Sequence, residues 1–176
     1  MTKKIASKKS VKKEKKKDVV SETAIFAAGC FWSVEELYRI LPGVISTEVG
    51  YTGGHWKDPG YSMVCTGITG HAEAVRIVYD PKKITYEKLL DIFWENHNPT
   101  TPNRQGWDIG TQYRSAIFYT TDKQNEIAQK SLDALSKSGK FKNPIVTKIE
   151  KAVEFYPAEE YHQKYLLKKG LKSCHI

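Results

Sequence analysis

The chain has 176 residues, of which 40% are hydrophobic and 11% aromatic, so it is long enough to bury one sizeable core. No apolar run approaches the ~18 residues of a membrane span, and no secretory signal is recognised, so we expect a cytoplasmic protein without a membrane anchor. The net charge of +8 does not indicate a basic domain, because nine lysines and two acidic residues within positions 1–18 account for +7 of it.

Composition divides the chain into three parts. Residues 1–20 form a lysine-rich arm that lacks aromatic residues and hydrophobic periodicity, and we expect this arm to be disordered. Residues 21–168 form one folded domain, and residues 169–176 form a flexible tail. A solubilising extension is the simpler explanation of the arm, and an electrostatic tether to nucleic acid or to an anionic membrane is the alternative.

Helices and strands are predicted from the spacing of apolar residues. In chain order the predicted elements are a strand at 23–28, a helix at 30–41, strands at 44–51 and 71–80, a helix capped by Thr85, a strand at 112–120, a helix from Asp122, a strand at 145–151 and a helix at 158–169. The first six elements have the β-α-β-β-α-β order of ferredoxin-like sheets. This order predicts an α+β fold with a mainly antiparallel sheet and helices on one face.

Cys30 lies where the first predicted strand meets the first predicted helix, in the run AIFAAGCFWSVEEL. In the first turn of a helix, unpaired N–H groups and the positive end of the helix dipole stabilise a thiolate. A thiol with the ordinary pKa of about 8.5 is only slightly ionised at neutral pH, whereas helix N-termini lower that pKa to roughly 3.5–7.5. The pattern therefore predicts that Cys30 is a nucleophile, with the aromatic residues Phe31 and Trp32 beside it.

Glu73 lies on the more apolar face of the strand at 71–80. Side chains alternate along a strand, so Glu73 shares its face with Val75 and the apolar residues beyond it. Burial there would raise the pKa of the carboxyl group and favour its neutral form, which can donate a proton near neutral pH. The alternative is a carboxylate that reaches solvent or pairs with Arg76 or Arg114.

Three polar residues have ordinary explanations when each is considered alone. Tyr61 would anchor a long loop at 52–61, and Asp108 would be a turn residue or a helix cap. Tyr113 would be half-buried packing at the start of a strand. These residues gain a functional interpretation only from a resemblance between whole motifs.

Cysteine and histidine spacing excludes several classes of site. Three cysteines without a CxxC pair are too few for a secreted disulfide framework, a thioredoxin-type motif or a zinc ribbon. Cys65, next to Val64, is expected to be a small buried hydrophobic residue. The histidines lack the spacing of a metal site and are expected to make structural hydrogen bonds: His71, His97 and His162.

Five short motifs follow one another along the folded domain. They are GCFW at 29–32, GHAEAV at 70–75, FWENH at 93–97, GTQYRS at 110–115 and AEEYHQ at 158–163. With these motifs the chain from about residue 22 to about residue 166 resembles the peptide methionine sulfoxide reductase A family. The resemblance implies an enzyme that reduces the S epimer of methionine sulfoxide, free or in proteins, with no bound cofactor or metal and with thioredoxin as external reductant. It also implies a monomer that repairs oxidised proteins and binds neither nucleic acid nor a membrane.

The resemblance assigns a role to each candidate site residue. Attack of the nucleophile on the sulfoxide sulfur would release methionine and leave a cysteine sulfenic acid, while a neutral carboxyl group protonates the oxygen and phenols stabilise its charge. The nucleophile falls on Cys30, the methyl-binding aromatics fall on Phe31 and Trp32, the partners of the sulfoxide oxygen fall on Glu73, Tyr61 and Tyr113, and the site aspartate falls on Asp108.

The sequence departs from the family pattern in its recycling cysteine and at the pocket rim. The family commonly resolves the sulfenic acid with a thiol that follows Gly-Tyr in a C-terminal tail, whereas Cys174 lies in LKSCHI. The resemblance implies that Cys174 forms a disulfide with Cys30, and its neighbours Lys172 and His175 would favour its thiolate. Direct reduction of Cys30 by a small reductant is the alternative. Ser33 stands where the family often has glycine, and this substitution is expected to be tolerated in a first helical turn. Trp107 stands where a smaller residue is usual, which leaves the preference for peptide substrates open.

Two other functions fit parts of the sequence. An RNA-binding module would use a ferredoxin-like sheet with aromatic residues and a basic arm, but the folded part is nearly neutral and lacks an RNP1-type strand. A Cys–His hydrolase would require Cys30 to pair with His71.

Overall fold

The computed structural model describes residues 20–171. The predicted lysine-rich arm up to residue 19 and the predicted resolving cysteine, Cys174, lie outside the described residues. Within residues 20–171 the strands are β1 (Glu22–Ala28), β2 (Val44–Thr52), β3 (Ala72–Tyr79), β4 (Arg104–Gln105), β5 (Asp108–Ile109), β6 (Ser115–Tyr119), β7 (Lys148–Lys151) and β8 (Tyr156–Pro157).

Six of these strands form a single sheet with the order β7-β6-β1-β3-β2-β8. Every neighbouring pair is antiparallel except β6 and β7. The central order β6-β1-β3-β2 is that of the predicted ferredoxin-like sheet, and the C-terminal strands β7 and β8 extend it at both edges. The α+β fold class is therefore confirmed. The remaining strands, β4 and β5, pair in a small separate hairpin.

Four helices and one 3-10 turn connect the described strands, and a fifth helix follows the last of them. The helices are α1 (Phe31–Arg39), α2 (Tyr61–Cys65), α3 (Tyr86–Glu95), α4 (Asp122–Lys137) and α5 (Tyr165–Lys169), and the 3-10 turn is Thr111–Tyr113. The Thr85 hydroxyl accepts a hydrogen bond from the Lys88 amide at 3.2 Å, which confirms the predicted N-cap of α3. Of the helices in the described range, not one combines the length and the apolar character that crossing a bilayer would require.

The main core lies between one face of the sheet and the helices α1, α3 and α4. Phe26 on β1 is fully buried and contacts the rings of Tyr38, Tyr86 and Phe93 from the first and third helices. A smaller cluster of alanines and Phe118 lies on the opposite face, where the C-terminal segment covers it. On β3 the alternation of side chains places Val75, Ile77 and Tyr79 in the main core and Ala72 and Ala74 in the smaller cluster.

Two predicted elements are shorter in the structure because other hydrogen bonds, one within a local turn and one to a distant strand, use their backbone groups. The strand predicted at 112–120 begins only at Ser115, since Gln112 and Tyr113 belong to a 3-10 turn that the Arg114 amide closes on the Thr111 carbonyl. The helix predicted at 158–169 is α5 alone. Its expected first turns are lost because the Ala158 amide donates to β2 at Val49.

Candidate active site

Cys30 is the N-cap of α1 and is half-buried. It follows Gly29, whose φ of +99° is a left-handed conformation that glycine adopts without steric cost. A Cβ atom at this position would lie 2.8 Å from the Cγ atom of Gln105, so the β4 residue packs directly on the backbone before the thiol. The glycine thus allows the strand to turn sharply into the helix and to present Cys30 at the first amides of that helix.

Glu73 is also brought to the start of α1. Its side chain is 2% exposed, and its Oε2 atom accepts a hydrogen bond from the Phe31 amide at 3.0 Å. The carboxyl group therefore caps the first N–H of the helix whose N-cap is Cys30. The arginines that the sequence offered as partners bind elsewhere: Arg76 pairs with Glu48, and Arg114 donates to backbone carbonyl groups.

The environment of Tyr113 shows which charged groups lie near Cys30. Burial raises the pKa of this phenol, and the charges of neighbouring groups raise it further. In decreasing order these groups are Glu73, Asp108, Cys30 and Cys65. Because Coulombic influence weakens with distance, these four side chains lie in the neighbourhood of the Tyr113 phenol, and together with it they form the candidate site cluster.

Tyr61 joins this cluster as the first residue of α2. Its amide donates to the Glu159 carboxylate at 2.9 Å, which fixes the start of the helix. Its phenol forms a hydrogen bond with the Cys65 thiol, one helical turn later. Burial raises the pKa of Tyr61, and the hydrogen bond with Cys65 and the charge of Glu73 act in the same direction.

The prediction that Cys65 is a buried hydrophobic residue is wrong, because its side chain is exposed. The sequence predicted a loop at 52–61 with no helix after it, whereas α2 turns Cys65 towards Tyr61. Partial burial raises the pKa of the Cys65 thiol, the Tyr61 hydrogen bond opposes this shift, and the carboxylates of Glu73 and Glu159 add to it. The thiol is therefore favoured over the thiolate.

Phe31 and Trp32 form an aromatic cluster on the first turn of α1. Phe31 is buried, and its ring lies 5.1 Å from that of His162. The Trp32 indole stacks on Tyr165 with a centroid distance of 3.8 Å, and its Nε1–H donates to Nδ1 of His162 at 3.0 Å. The Tyr61 ring lies 4.5 Å from the same imidazole, so the predicted methyl-binding aromatics and a predicted oxygen partner meet at His162.

The contact of His162 with these aromatic residues was not predicted from the sequence, which indicated only a structural hydrogen bond for this histidine. The residue lies 130 positions after Trp32, so neither local periodicity nor metal-ligand spacing connects the two. The one available signal was its presence in AEEYHQ, a motif that supports the family resemblance.

Asp108 lies on β5, opposite Gln105 of β4, and is half-buried. The contact between Gln105 and Gly29 places this hairpin against the turn that carries Cys30. Trp107, which precedes Asp108, is 86% exposed. The hairpin thus presents a carboxylate towards Tyr113 and an unusually exposed indole at the edge of the site.

The other histidines serve the fold, as predicted. His71 accepts from the Gly54 amide at Nδ1 and donates from Nε2 to the Trp56 carbonyl, so both ring nitrogens are occupied by backbone. This geometry leaves no nitrogen for a hydrolase pair with Cys30. His97 bonds the Phe93 carbonyl and Ser115, and burial lowers its pKa to about 4. Among residues 20–171 no group of three His, Cys, Asp or Glu side chains is arranged to hold a metal ion.

The cluster can carry out nucleophilic chemistry with acid assistance. It combines a thiol at a helix N-terminus, a buried carboxyl group and two protonated phenols, with an apolar aromatic surface on the same helix turn. The carboxyl group and the phenols can bind and protonate a polar oxygen of a substrate, and the aromatic rings can contact a small apolar group. A substrate atom that carries both groups would suit the site.

Comparisons with known proteins agree with this chemistry. A family model described as peptide methionine sulfoxide reductase matches residues 22–176. A peptide methionine sulfoxide reductase MsrA from Methanococcus maripaludis strain C7 is 60% identical over 150 residues, which are 85% of this chain and 94% of the relative. The fold is similar to that of reduced Mxr1 from Saccharomyces cerevisiae, with a TM-score of 0.79, 40% identity and coverage of 89% and 90% of the two chains. Mxr1 in complex with Trx2 is also similar, with a TM-score of 0.57, 28% identity and coverage of 88% and 91%.

Proposed function

The chain belongs to the peptide methionine sulfoxide reductase family and is an oxidoreductase, and from this we propose that it reduces methionine S-sulfoxide, free or in proteins, through Cys30. In the first step the Cys30 thiolate attacks the sulfoxide sulfur while the oxygen takes up a proton. A bond forms between the Cys30 sulfur and the substrate sulfur, the sulfur–oxygen bond breaks, and the oxygen leaves as water after taking up a second proton. Water then attacks the Cys30 sulfur and gives up a proton, the sulfur–sulfur bond breaks, methionine is released and Cys30 becomes a sulfenic acid. The sulfoxide is thereby reduced by two electrons, and the thiol is oxidised by two.

The hydrogen bond from the Phe31 amide to Glu73 is the observation that carries this proposal. It brings a nearly fully buried carboxyl group to the helix turn that Cys30 caps. Burial favours the neutral form of a carboxyl group, and a carboxylic acid still accepts the amide through its carbonyl oxygen. Glu73 can therefore donate the proton that converts the sulfoxide oxygen into a good leaving group.

Tyr61 and Tyr113 are proposed to bind the sulfoxide oxygen. Burial raises the pKa of both phenols above the ordinary tyrosine value, so both keep their protons at neutral pH. Two protonated phenols are hydrogen-bond donors that stabilise negative charge as it develops on the oxygen.

The substrate methyl group is proposed to lie against Phe31 and Trp32. Sulfur–aromatic contacts contribute about 0.3–1.5 kcal/mol, and the indole is already held by Tyr165 and His162. Asp108 is proposed to orient the site by accepting a hydrogen bond, which its charge effect on Tyr113 supports.

Cys174 in the tail at 169–176 is proposed to resolve the sulfenic acid, forming a Cys30–Cys174 disulfide and water. A thioredoxin dithiol would then reduce the disulfide by exchange. The complex of the similar protein Mxr1 with Trx2 supports thioredoxin as the reductant. Thiol recycling needs a reducing compartment, so a cytoplasmic location is proposed. The protein is further proposed to be a monomer whose residues 21–168 form the catalytic domain.

The test mixes fully reduced protein with N-acetyl-methionine S-sulfoxide in the absence of reductant, counts the methionine formed, and maps disulfides by mass spectrometry. We expect about one methionine per protein and a Cys30–Cys174 bridge, and both should persist in the control variant Cys65→Ser. A Cys30–Cys65 bridge, or an unbridged oxidised Cys30, would reject Cys174 as the resolving residue. No methionine from well-folded protein, with either sulfoxide epimer, would reject the reductase activity.

A further inference from the structure

The imidazole of His162 lies at the centre of the aromatic residues that surround the proposed methyl site. It is 1% exposed, and its ring centroid lies 5.1 Å from that of Phe31, 5.6 Å from that of Trp32 and 4.5 Å from that of Tyr61. A buried polar ring among apolar ones is costly unless its nitrogens are used. The partners of its two ring nitrogens therefore indicate the role of His162.

Within residues 20–171, one of the two ring nitrogens of His162 has a hydrogen bond and the other has none. Nδ1 accepts from the Trp32 indole at 3.0 Å, which fixes the ring proton on Nε2. Nε2 is buried and has no hydrogen-bond partner among the described residues, and the nearest acidic oxygen, Oε2 of Glu159, lies 3.8 Å away. The fold therefore leaves one polar group of His162 unpaired while it keeps the bond to Trp32.

The Trp32 indole is held on two sides. Its face stacks on Tyr165 at an interplanar angle of 10°, and its N–H edge is bound by His162. Stacking on Tyr165 restrains the plane of the indole, whereas the directional hydrogen bond to His162 restrains its position within that plane. The position of the indole edge thus depends on Nδ1 of His162.

We propose that neutral His162 is a positioning residue that holds the Trp32 indole against the substrate and so limits the size of the S-alkyl group that the site accepts. The inference rests on the proposed function, in which Trp32 contacts the S-methyl group. Its chemical consequence is selectivity for a sulfoxide that carries a methyl group over one that carries a larger alkyl group.

The neutral state of His162 is needed for this role, since a proton on Nδ1 would face the indole N–H. The titratable groups around the imidazole are the Glu159 carboxylate and the phenols of Tyr61 and Tyr161. Burial lowers the pKa of His162, and the Glu159 charge opposes that shift. Acidification should therefore break the Trp32 bond only below the ordinary titration range of histidine.

The first test follows the Trp32 indole N–H resonance by NMR in the full-length protein, with Trp32→Phe used for assignment. We expect the resonance to shift as the pH falls from about 8 to about 4, and to stop titrating in His162→Asn. The Asn oxygen occupies a position like that of Nδ1 and cannot be protonated in this range. A Trp32 resonance that does not respond to pH or to the substitution would overturn the proposal.

The second test measures reduction of methionine and ethionine S-sulfoxides by the wild type, His162→Asn and His162→Leu. Loss of one buried hydrogen bond predicts a rise of about tenfold in KM for methionine sulfoxide in His162→Leu, with little change in kcat. The preference for methionine over ethionine sulfoxide should fall as well. His162→Asn should restore both values, because it keeps the acceptor.

An unchanged substrate preference in His162→Leu, or equal losses in both variants, would overturn the positioning role. Failure of the proposed function has a different signature: the wild type would yield no methionine, or Trp32→Phe would leave KM unchanged, while the NMR titration could still report the Trp32–His162 bond.

Discussion

Replacing Glu73 with glutamine removes the acidic proton while it preserves almost all of the side-chain shape. The glutamine carbonyl oxygen can still accept the Phe31 amide, which lies 3.0 Å from the carboxyl oxygen it replaces. Because one net hydrogen bond contributes about 1 kcal/mol, we expect Glu73→Gln to change the free energy of unfolding by less than that amount. Glu73→Ala would be a poorer choice, because it leaves the buried Phe31 amide without its hydrogen-bond acceptor.

The expected loss of activity is much larger than the loss of stability. General acid catalysis contributes about 10²–10⁴-fold, which corresponds to roughly 3–5 kcal/mol of transition-state stabilisation. Glu73 is 2% exposed, so bulk water has little access to replace it as the proton donor. The rate of the reduction step in Glu73→Gln should therefore fall by at least about 100-fold.

The assay is single-turnover reduction of methionine S-sulfoxide by fully reduced protein, quenched at intervals and analysed for methionine. Glu35→Gln is a matched control, because Glu35 is an equally buried carboxyl group on α1 that accepts hydrogen bonds from Thr47 and from the Lys164 amide. The control should lose less than about tenfold in rate. Alkylation of Cys30 by iodoacetamide, measured in parallel, reports whether the thiol itself has changed.

A Glu73→Gln rate within tenfold of the wild type would refute Glu73 as the proton donor. A loss that Glu35→Gln reproduces would assign the effect to the stability of α1 instead. A large loss accompanied by an equal loss of Cys30 alkylation would show that Glu73 acts on the nucleophile and not on the sulfoxide oxygen.

Two further predictions concern phenols and pH. Tyr61→Phe and Tyr113→Phe should each slow single-turnover reduction by about tenfold, the worth of one hydrogen bond to developing charge, and unchanged rates in both variants would remove the phenols from the mechanism. Burial raises the pKa of Glu35, opposed by its hydrogen bonds, so its contribution to stability is present below the unfolded-state pKa and is lost as the pH rises through the folded-state pKa. In urea unfolding, the free energy of unfolding of Glu35→Gln should increase relative to that of the wild type as the pH rises from about 4 to about 7. A difference between the two proteins that does not change with pH would contradict the raised pKa of Glu35.

Features that depend on neighbouring residues could be predicted from the sequence. The alternation of β3 predicted that Glu73 shares its face with Val75, Ile77 and Tyr79, which are buried in the main core, and the junction of strand, glycine and helix predicted Cys30 at a helix N-terminus. The order of elements then predicted the ferredoxin-like core, because each strand and helix carries its own period. Motif order added the family, which the comparisons support.

Features that depend on residues far apart in the chain became visible only in the folded molecule. The contact between Phe31 and Glu73 spans 42 positions, and the bond from Trp32 to His162 spans 130. Local periodicity carries no information about such pairs, so the exposure of Cys65 and the place of His162 could not be predicted. The same reason explains why three short elements could not be predicted: the helices α2 and α5 and the hairpin β4–β5. Each is too short to show a hydrophobic period, and its conformation depends on the residues on which it packs.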